Sequence, residues 1–170
     1  MNSKDYSKSF SIIIGDKPKY LILGTMPGKV SLLQNQYYAH PQNSFWKILF
    51  QLFNSNFISD YSDKIKFLKE NKIALWDVCQ SCYRKGSLDS DIQKENPNKI
   101  VELIETTPSI QKIIFNGQKA EKLYFKHLKR INGINYFTML STSPANASYT
   151  FEQKLENWEL AISIGDKIEN

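Results

Sequence analysis

The sequence is poor in the residues that hold metals. Its 170 residues include two cysteines, Cys79 and Cys82, and two histidines, His40 and His127. A structural zinc site takes about four Cys or His ligands, and neither the CQSC spacing nor the two isolated histidines provide that set. A four-cysteine iron–sulfur cluster is excluded within one chain. CQSC itself follows an apolar, strand-like run, so it reads either as a redox dithiol or as a coincidental pair of thiols. Long apolar runs are also missing. No segment approaches the ~20 residues of a membrane span, and the opening MNSKDYSKSF has no apolar stretch of the signal-peptide kind. The expectation is a cytoplasmic chain without a membrane partner. No repeat, low-complexity tract or linker divides it, so residues 1–170 read as one domain, long enough to bury a single core.

Among charged residues, 22 Lys and Arg stand against 17 Asp and Glu, a formal charge of +5 and a pI near 9.1. That excess leans toward a polyanionic partner without requiring one.

Four short, largely apolar runs are spaced along the chain: KYLILG (19–24), KIALWDV (72–78), IQKIIFN (110–116) and NYFTML (135–140). Runs of this kind suit strands buried on both faces of a parallel sheet. SIIIG (11–15) is a further candidate for an edge strand. Helical patterns lie between them. Residues 43–53 place Phe45, Trp46, Leu49, Phe50 and Phe53 on one side, and 63–70 is short and amphipathic. Asn96-Pro97 reads as an N-cap with proline at the first helical position, opening a helix to Glu105. Residues 117–130 carry Ala120, Leu123, Tyr124 and Leu128 on one stripe, and 150–162 closes the chain with Glu152 or Gln153 in its first turn. The alternation predicts an α/β fold: a three-layer α/β/α sandwich around a central, mainly parallel four-stranded sheet.

Ligands of open parallel sheets bind beyond the carboxyl ends of the strands. The segments that leave the predicted strands are therefore informative. After the first come GTMPG and YYAHPQN; after the second, RKGSLDS; after the third, Asn116-Gly117; after the fourth, STSPANAS. All the segments rich in Asn, Ser, Gly and Pro fall where a cleft belongs.

GTMPGKV is not a nucleotide phosphate loop, because three residues rather than four separate its glycines and Val30 follows Lys29. Gly28 and the neighbouring amides either cradle a phosphate or simply turn the chain. STSPANAS contains no Gly-x-Ser-x-Gly elbow, which weakens an acyl-transfer reading. Asp77 ends an apolar strand, where a carboxylate is costly without partners. It either caps the following turn, accepts from the N–H edge of a bound base, or activates water. Asn116 is a turn residue or a reader of a planar heterocycle. Tyr37 and Tyr38 pack the core or lie flat on a ligand ring, since stacking is sequence-tolerant. His40 turns the chain or touches phosphate or base; Phe45 and Trp46 read as core, and His127 as surface.

Taken in order, GTMPG, YYAHPQNSFW, ALWDV with GSLDS, FNG and STSPANA resemble the motifs of the uracil-DNA glycosylase superfamily over residues 17–162, most of all its hypoxanthine-DNA (deoxyinosine) branch. AHPQNSFWKIL is also similar to the AHPxNxFW signature of the mismatch-specific uracil/thymine branch. The resemblance implies a monofunctional enzyme, with no metal and no cofactor, that hydrolyses the N-glycosidic bond of a deaminated base in DNA. The base, hypoxanthine in preference to uracil or xanthine, would be turned out of the helix into a pocket.

The resemblance further implies that Asn43 orients the attacking water and that Gly24, Thr25, Met26, Tyr37 and Tyr38 line and stack the base. Asp77 and Asn116 would read its edge, Asp77 suiting the N1–H of hypoxanthine. Gly28, His40, Lys85, Ser87 and the loop Ser143, Pro144, Ala145, Asn146 would contact the DNA. A monomer is expected. Two positions depart from the wider superfamily: Met26 stands where many members carry Asp, Glu or Asn, and Ser143 where some carry histidine. Two other functions compete: a catalytically silent binder of nucleic acid using the same pocket, and a thiol oxidoreductase using Cys79 and Cys82.

Overall fold

The central strand β2 (Tyr20–Gly24) is buried at every position. In a computed structural model of the chain, which describes residues 5–162, it pairs in parallel with β3 (Ile73–Asp77) on one side and β6 (Lys112–Asn116) on the other. β7 (Asn135–Met139) completes a four-stranded sheet of order β3-β2-β6-β7, parallel throughout. Side chains alternate across a strand, and the alternation divides the core. Tyr20, Ile22, Ile73, Leu75 and Ile114 face one hydrophobic layer, whereas Leu21, Leu23, Ala74, Ile113 and Phe115 face the other. The first layer is closed by α2 (Phe45–Leu52), α3 (Tyr61–Glu70) and α6 (Phe151–Glu159) through Trp46, Leu49, Phe67 and Trp158. The second is closed by α4 (Ile100–Thr106) and α5 (Gln118–His127) through Ile100, Ile104, Ala120 and Tyr124. The predicted three-layer sandwich is the observed architecture.

Register puts the strand ends in one row. Gly24 pairs with Asp77, Leu23 with Phe115, and Asn116 with Met139, so all four strands stop together and the chain leaves the sheet at one edge. A six-residue helix, α1 (Lys29–Gln34), follows the first of these exits.

Two local expectations are corrected, and the place of CQSC is defined. SIIIG forms no strand; Ile13 makes a single antiparallel bridge to Leu75, through hydrogen bonds of 3.0 and 2.9 Å, at the open edge of β3. Asn96-Pro97 does not open a helix. It ends β5 (Gln93–Pro97), where Pro97, which has no N–H to donate, stands opposite Cys79; α4 begins at Ile100, after Asn98 has donated to the carbonyls of Asp77 and Cys79. CQSC lies within β4 (Cys79–Tyr83), the middle strand of a second, antiparallel sheet of order β1-β4-β5, with β1 at Tyr6–Lys8. The first four and last eight residues of the expected single domain lie outside the described residues.

The start of α6 matches its predicted first turn in detail. The Thr150 N–H donates to Oε1 of Gln153 at 2.9 Å, and the Gln153 N–H donates to Oγ1 of Thr150 at 3.2 Å, a reciprocal capping box. Thr150→Ala is expected to cost about 1 kcal/mol and to lower Tm by roughly 2–4 °C, with Thr150→Ser near wild type in a thermal melt.

Candidate active site

Beyond the carboxyl ends of the four strands lies a cavity of about 790 Å³. Its wall gathers Gly24, Thr25, Met26, Gly28, Tyr37, Tyr38, His40, Asn43, Asp77, Ser87, Asn116, Ser143, Pro144, Ala145 and Asn146. Lys85 is the one sequence candidate it leaves out, exposed on the loop after β4.

Asp77 is only 2% exposed. The Ser9 hydroxyl donates to its Oδ2 at 2.6 Å, a contact from a segment in which the sequence gives no functional signal. Burial pushes the carboxyl up to about 7; the Ser9 and Tyr37 hydroxyls oppose that rise, and the charge of Asp89 adds to it. Gly24 is required beside it for space. A Cβ there would come within 2.7 Å of Asp77 Oδ1 and 2.9 Å of Tyr38 Oη.

The two tyrosines play different structural parts. Tyr37 belongs to the core. Its N–H donates to the Tyr61 hydroxyl, its carbonyl accepts from Trp46 Nε1, and its ring stands edge-on to Phe10 at 5.0 Å. Tyr38, with φ at +53°, lies flat on Phe45, the ring centroids 3.9 Å apart. Phe45 is fully buried, so it backs Tyr38 against the helix layer while Tyr38 itself lines the cavity. Burial raises the pKa of both phenols.

Asn43 precedes α2, and its Oδ1 accepts the Phe45 N–H at 3.0 Å. That bond fixes which end of the amide is oxygen, and among the described residues no hydrogen bond engages Nδ2. His40 has a turn role: its Nδ1 accepts the Gln42 N–H at 3.2 Å, and its carbonyl accepts the Asn43 N–H.

Asn116 is a brace. Its Nδ2 donates to Oγ1 of Thr142, and its Oδ1 accepts the Thr142 N–H, each at 2.9 Å. This pair, which the sequence did not reveal because Thr142 is unremarkable in a Ser/Thr-rich loop, ties the exit of β7 to that of β6. Within the same loop Asn146 donates to the Ser141 carbonyl and Ser143 accepts the Ala145 N–H, while Lys154 of α6 reaches the Ser143 carbonyl.

GTMPG is held from below. Ser87 Oγ accepts the Lys29 N–H at 2.8 Å. The buried Arg84 guanidinium donates to the Pro27 carbonyl and sits 3.6 Å from Asp89. Asp89 lines the cavity as a second carboxylate, its pKa raised by burial, with the Thr25 hydroxyl and Arg84 opposing. Its position in GSLDS was the available signal. The two cysteines are fully buried in the other core layer. Burial pushes the Cys79 thiol up to about 12, the reverse of an accessible low-pKa redox thiol. Among the described residues no three His, Cys, Asp or Glu side chains gather to hold a metal ion, and no helix is long and apolar enough to cross a membrane.

The model of the Uracil DNA glycosylase superfamily matches residues 13–162. A hypoxanthine DNA glycosylase of Methanosarcina barkeri is 35% identical over 140 residues, covering 82% of this chain and 87% of its own. One of Methanosarcina acetivorans is 36% identical over 155 residues, covering 89% and 95%. The solution NMR structure of a candidate uracil DNA glycosylase from Methanosarcina acetivorans superposes with a TM-score of 0.76 at 33% identity, covering 91% of this chain and 95% of that one. A parallel sheet opening on a cleft of this make-up, with relatives of this kind, defines a DNA N-glycosylase. The chain belongs to the uracil DNA glycosylase superfamily.

Proposed function

We propose that this DNA N-glycosylase removes hypoxanthine from DNA after the nucleotide has been turned out of the helix into the cleft. The observation that carries the reading is a buried carboxyl, Asp77, lining a cavity with room for a base, in a chain whose two curated relatives are hypoxanthine DNA glycosylases. Ligand cavities commonly measure ~300–1,000 Å³, so a purine has room.

In this reading Tyr38, backed by Phe45, is the flat wall against which the base lies, and Asp77 meets its N1–H. Asn116 contributes through Thr142, by holding the loop that closes the cleft. The glycosidic bond stretches toward a cation-like sugar, its electrons passing to the base. Asn43 holds the incoming water with the free lone pair of Oδ1 and the hydrogens of Nδ2, and an amide takes no proton outright. Gly28, His40, Ser87 and the Ser143–Asn146 loop meet the backbone of the DNA around the cleft, with Lys85 further out on the exposed loop.

Met26 brings no polar side-chain atom to the first turn. Uracil, which lacks the larger purine surface, is therefore expected to be released more slowly than hypoxanthine. The test is single-turnover cleavage of labelled duplexes containing inosine, uracil or xanthine, developed with alkali. Scission at inosine supports the reading. Tight binding that weakens with salt, without scission at any of the three, identifies a silent binder instead.

A further inference from the structure

We propose that Asp77 meets the base as a neutral carboxylic acid, with Ser9 deciding which of its oxygens keeps the proton. The proposal rests on the reading that Asp77 touches the base, and it adds the form in which it does so.

The surroundings of Asp77 hold one cation, Arg84, which acts at a distance and forms no ion pair with it. The groups facing it are the hydroxyl of Ser9 from the segment after β1, the phenols of Tyr37 and Tyr38 from the loop after α1, Arg84 beyond β4, and Asp89 from the turn at Asp89–Asp91. Arg84 is engaged by the Pro27 carbonyl and Asp89, and among the described residues no ion pair reaches Asp77. A carboxylate buried with only hydroxyls as hydrogen-bond partners, its nearest guanidinium engaged elsewhere and a second acid nearby, is disfavoured in its charged form. The rise in its pKa to about 7 points the same way.

The geometry then assigns the two oxygens. Oδ2 stands 2.6 Å from the Ser9 hydroxyl, and with Ser9 as the donor in this contact Oδ2 is the carbonyl-type oxygen. The proton falls to Oδ1, the oxygen beside Gly24 on the cavity floor. An acid of this polarity is an acceptor next to a donor. The N1–H and O6 of hypoxanthine are the complementary pair: N1–H donates to Oδ2, and Oδ1–H donates to O6. Adenine in the same pose sets its N1 lone pair against Oδ2 and its amino hydrogens against Oδ1–H, so both contacts are repulsive. The polarity imposed by Ser9 thus distinguishes the deaminated base from its parent at one side chain.

The test is the pH dependence of single-turnover excision on inosine duplexes, from pH 5.5 to 8.5, for wild type, Asp77→Asn, Asp77→Ala and Ser9→Ala. The wild-type rate is expected to fall above neutrality, approaching tenfold per pH unit. Asp77→Asn, whose amide is likewise an acceptor beside a donor but does not titrate, is expected to lose that limb whatever its absolute rate. Ser9→Ala removes a bond that lowers the Asp77 pKa, so its limb moves to higher pH, a shift that a purely structural role would not produce.

A melt adds an independent readout. A carboxyl whose pKa is raised on folding contributes stability at low pH that is lost as pH climbs from the ordinary carboxylate range to about 7. Asp77→Asn should therefore melt above wild type at pH 8 and close to it at pH 4. A wild-type rate that rises through neutrality, or an Asp77→Asn profile with the wild-type limb, overturns the proposal. Asp77→Ala at the wild-type rate removes Asp77 from the base contact altogether, and scission at inosine in wild type still stands apart from that outcome.

Discussion

Asn43→Ala is expected to lower single-turnover excision of hypoxanthine by about 10²–10³-fold, the usual cost of removing one preorganised donor at a reacting centre. Its effect on folding should be small. The substitution removes the Oδ1 acceptor that receives the Phe45 N–H at 3.0 Å, a hydrogen bond of the turn before α2 worth about 1 kcal/mol. Asn43→Asp separates the two roles. A carboxylate accepts the same N–H and keeps the turn, but it has no hydrogens to place on a water. It should melt like wild type and excise as poorly as the alanine variant. An Asn43→Ala enzyme within threefold of wild type would move the water-holding role elsewhere in the cleft.

Gly24→Ala is the second large effect. The added methyl meets Asp77 Oδ1 at 2.7 Å and Tyr38 Oη at 2.9 Å, and neither atom yields easily. Asp77 is short and anchored through Oδ2 by Ser9; Tyr38 lies against Phe45, itself fully buried. Overpacking of this kind costs about 1–3 kcal/mol. A displacement of about 1 Å in a positioning group is enough to cost about 10²-fold in rate. Excision is therefore expected to fall by at least that factor, with a visible drop in Tm. Adding Tyr38→Phe removes one of the two collisions and should return part of the lost stability, the coupling expected of residues in contact. Additive losses in the double variant would show that the methyl is accommodated elsewhere.

These two residues also show what could be read in the sequence and why the rest could not. The four sheet strands are apolar on both faces, so YLILG, IALWD and KIIFN stand out, and a parallel register brings their last residues together. That logic was enough to place Gly24, Asp77, Asn116 and the loops after them at one cleft. The second sheet was not legible: YSK, CQSCY and QKENP are short and mixed in polarity, with bulges between β4 and β5 that break any two-residue period. Partnerships were hidden for a different reason. An asparagine at a strand end presents the same atoms to a ligand or to a threonine hydroxyl, and only the fold shows that Asn116 is engaged by Thr142. Tyr37 and Tyr38 are adjacent, and it is the left-handed backbone at Tyr38 that accompanies their division between core and cleft.

The tie between Ser9 and Asp77 spans 68 positions of the chain, and among the described residues β4 is the one strand that pairs with β1. Neither β1 nor the Ser9 hydrogen bond is part of the parallel sheet. Molecules whose first strand has come loose would keep the parallel sheet, yet carry an acid that has lost its Ser9 partner. Preparations of identical purity would differ in turnover, and the difference would follow the fraction of chains with that strand in place.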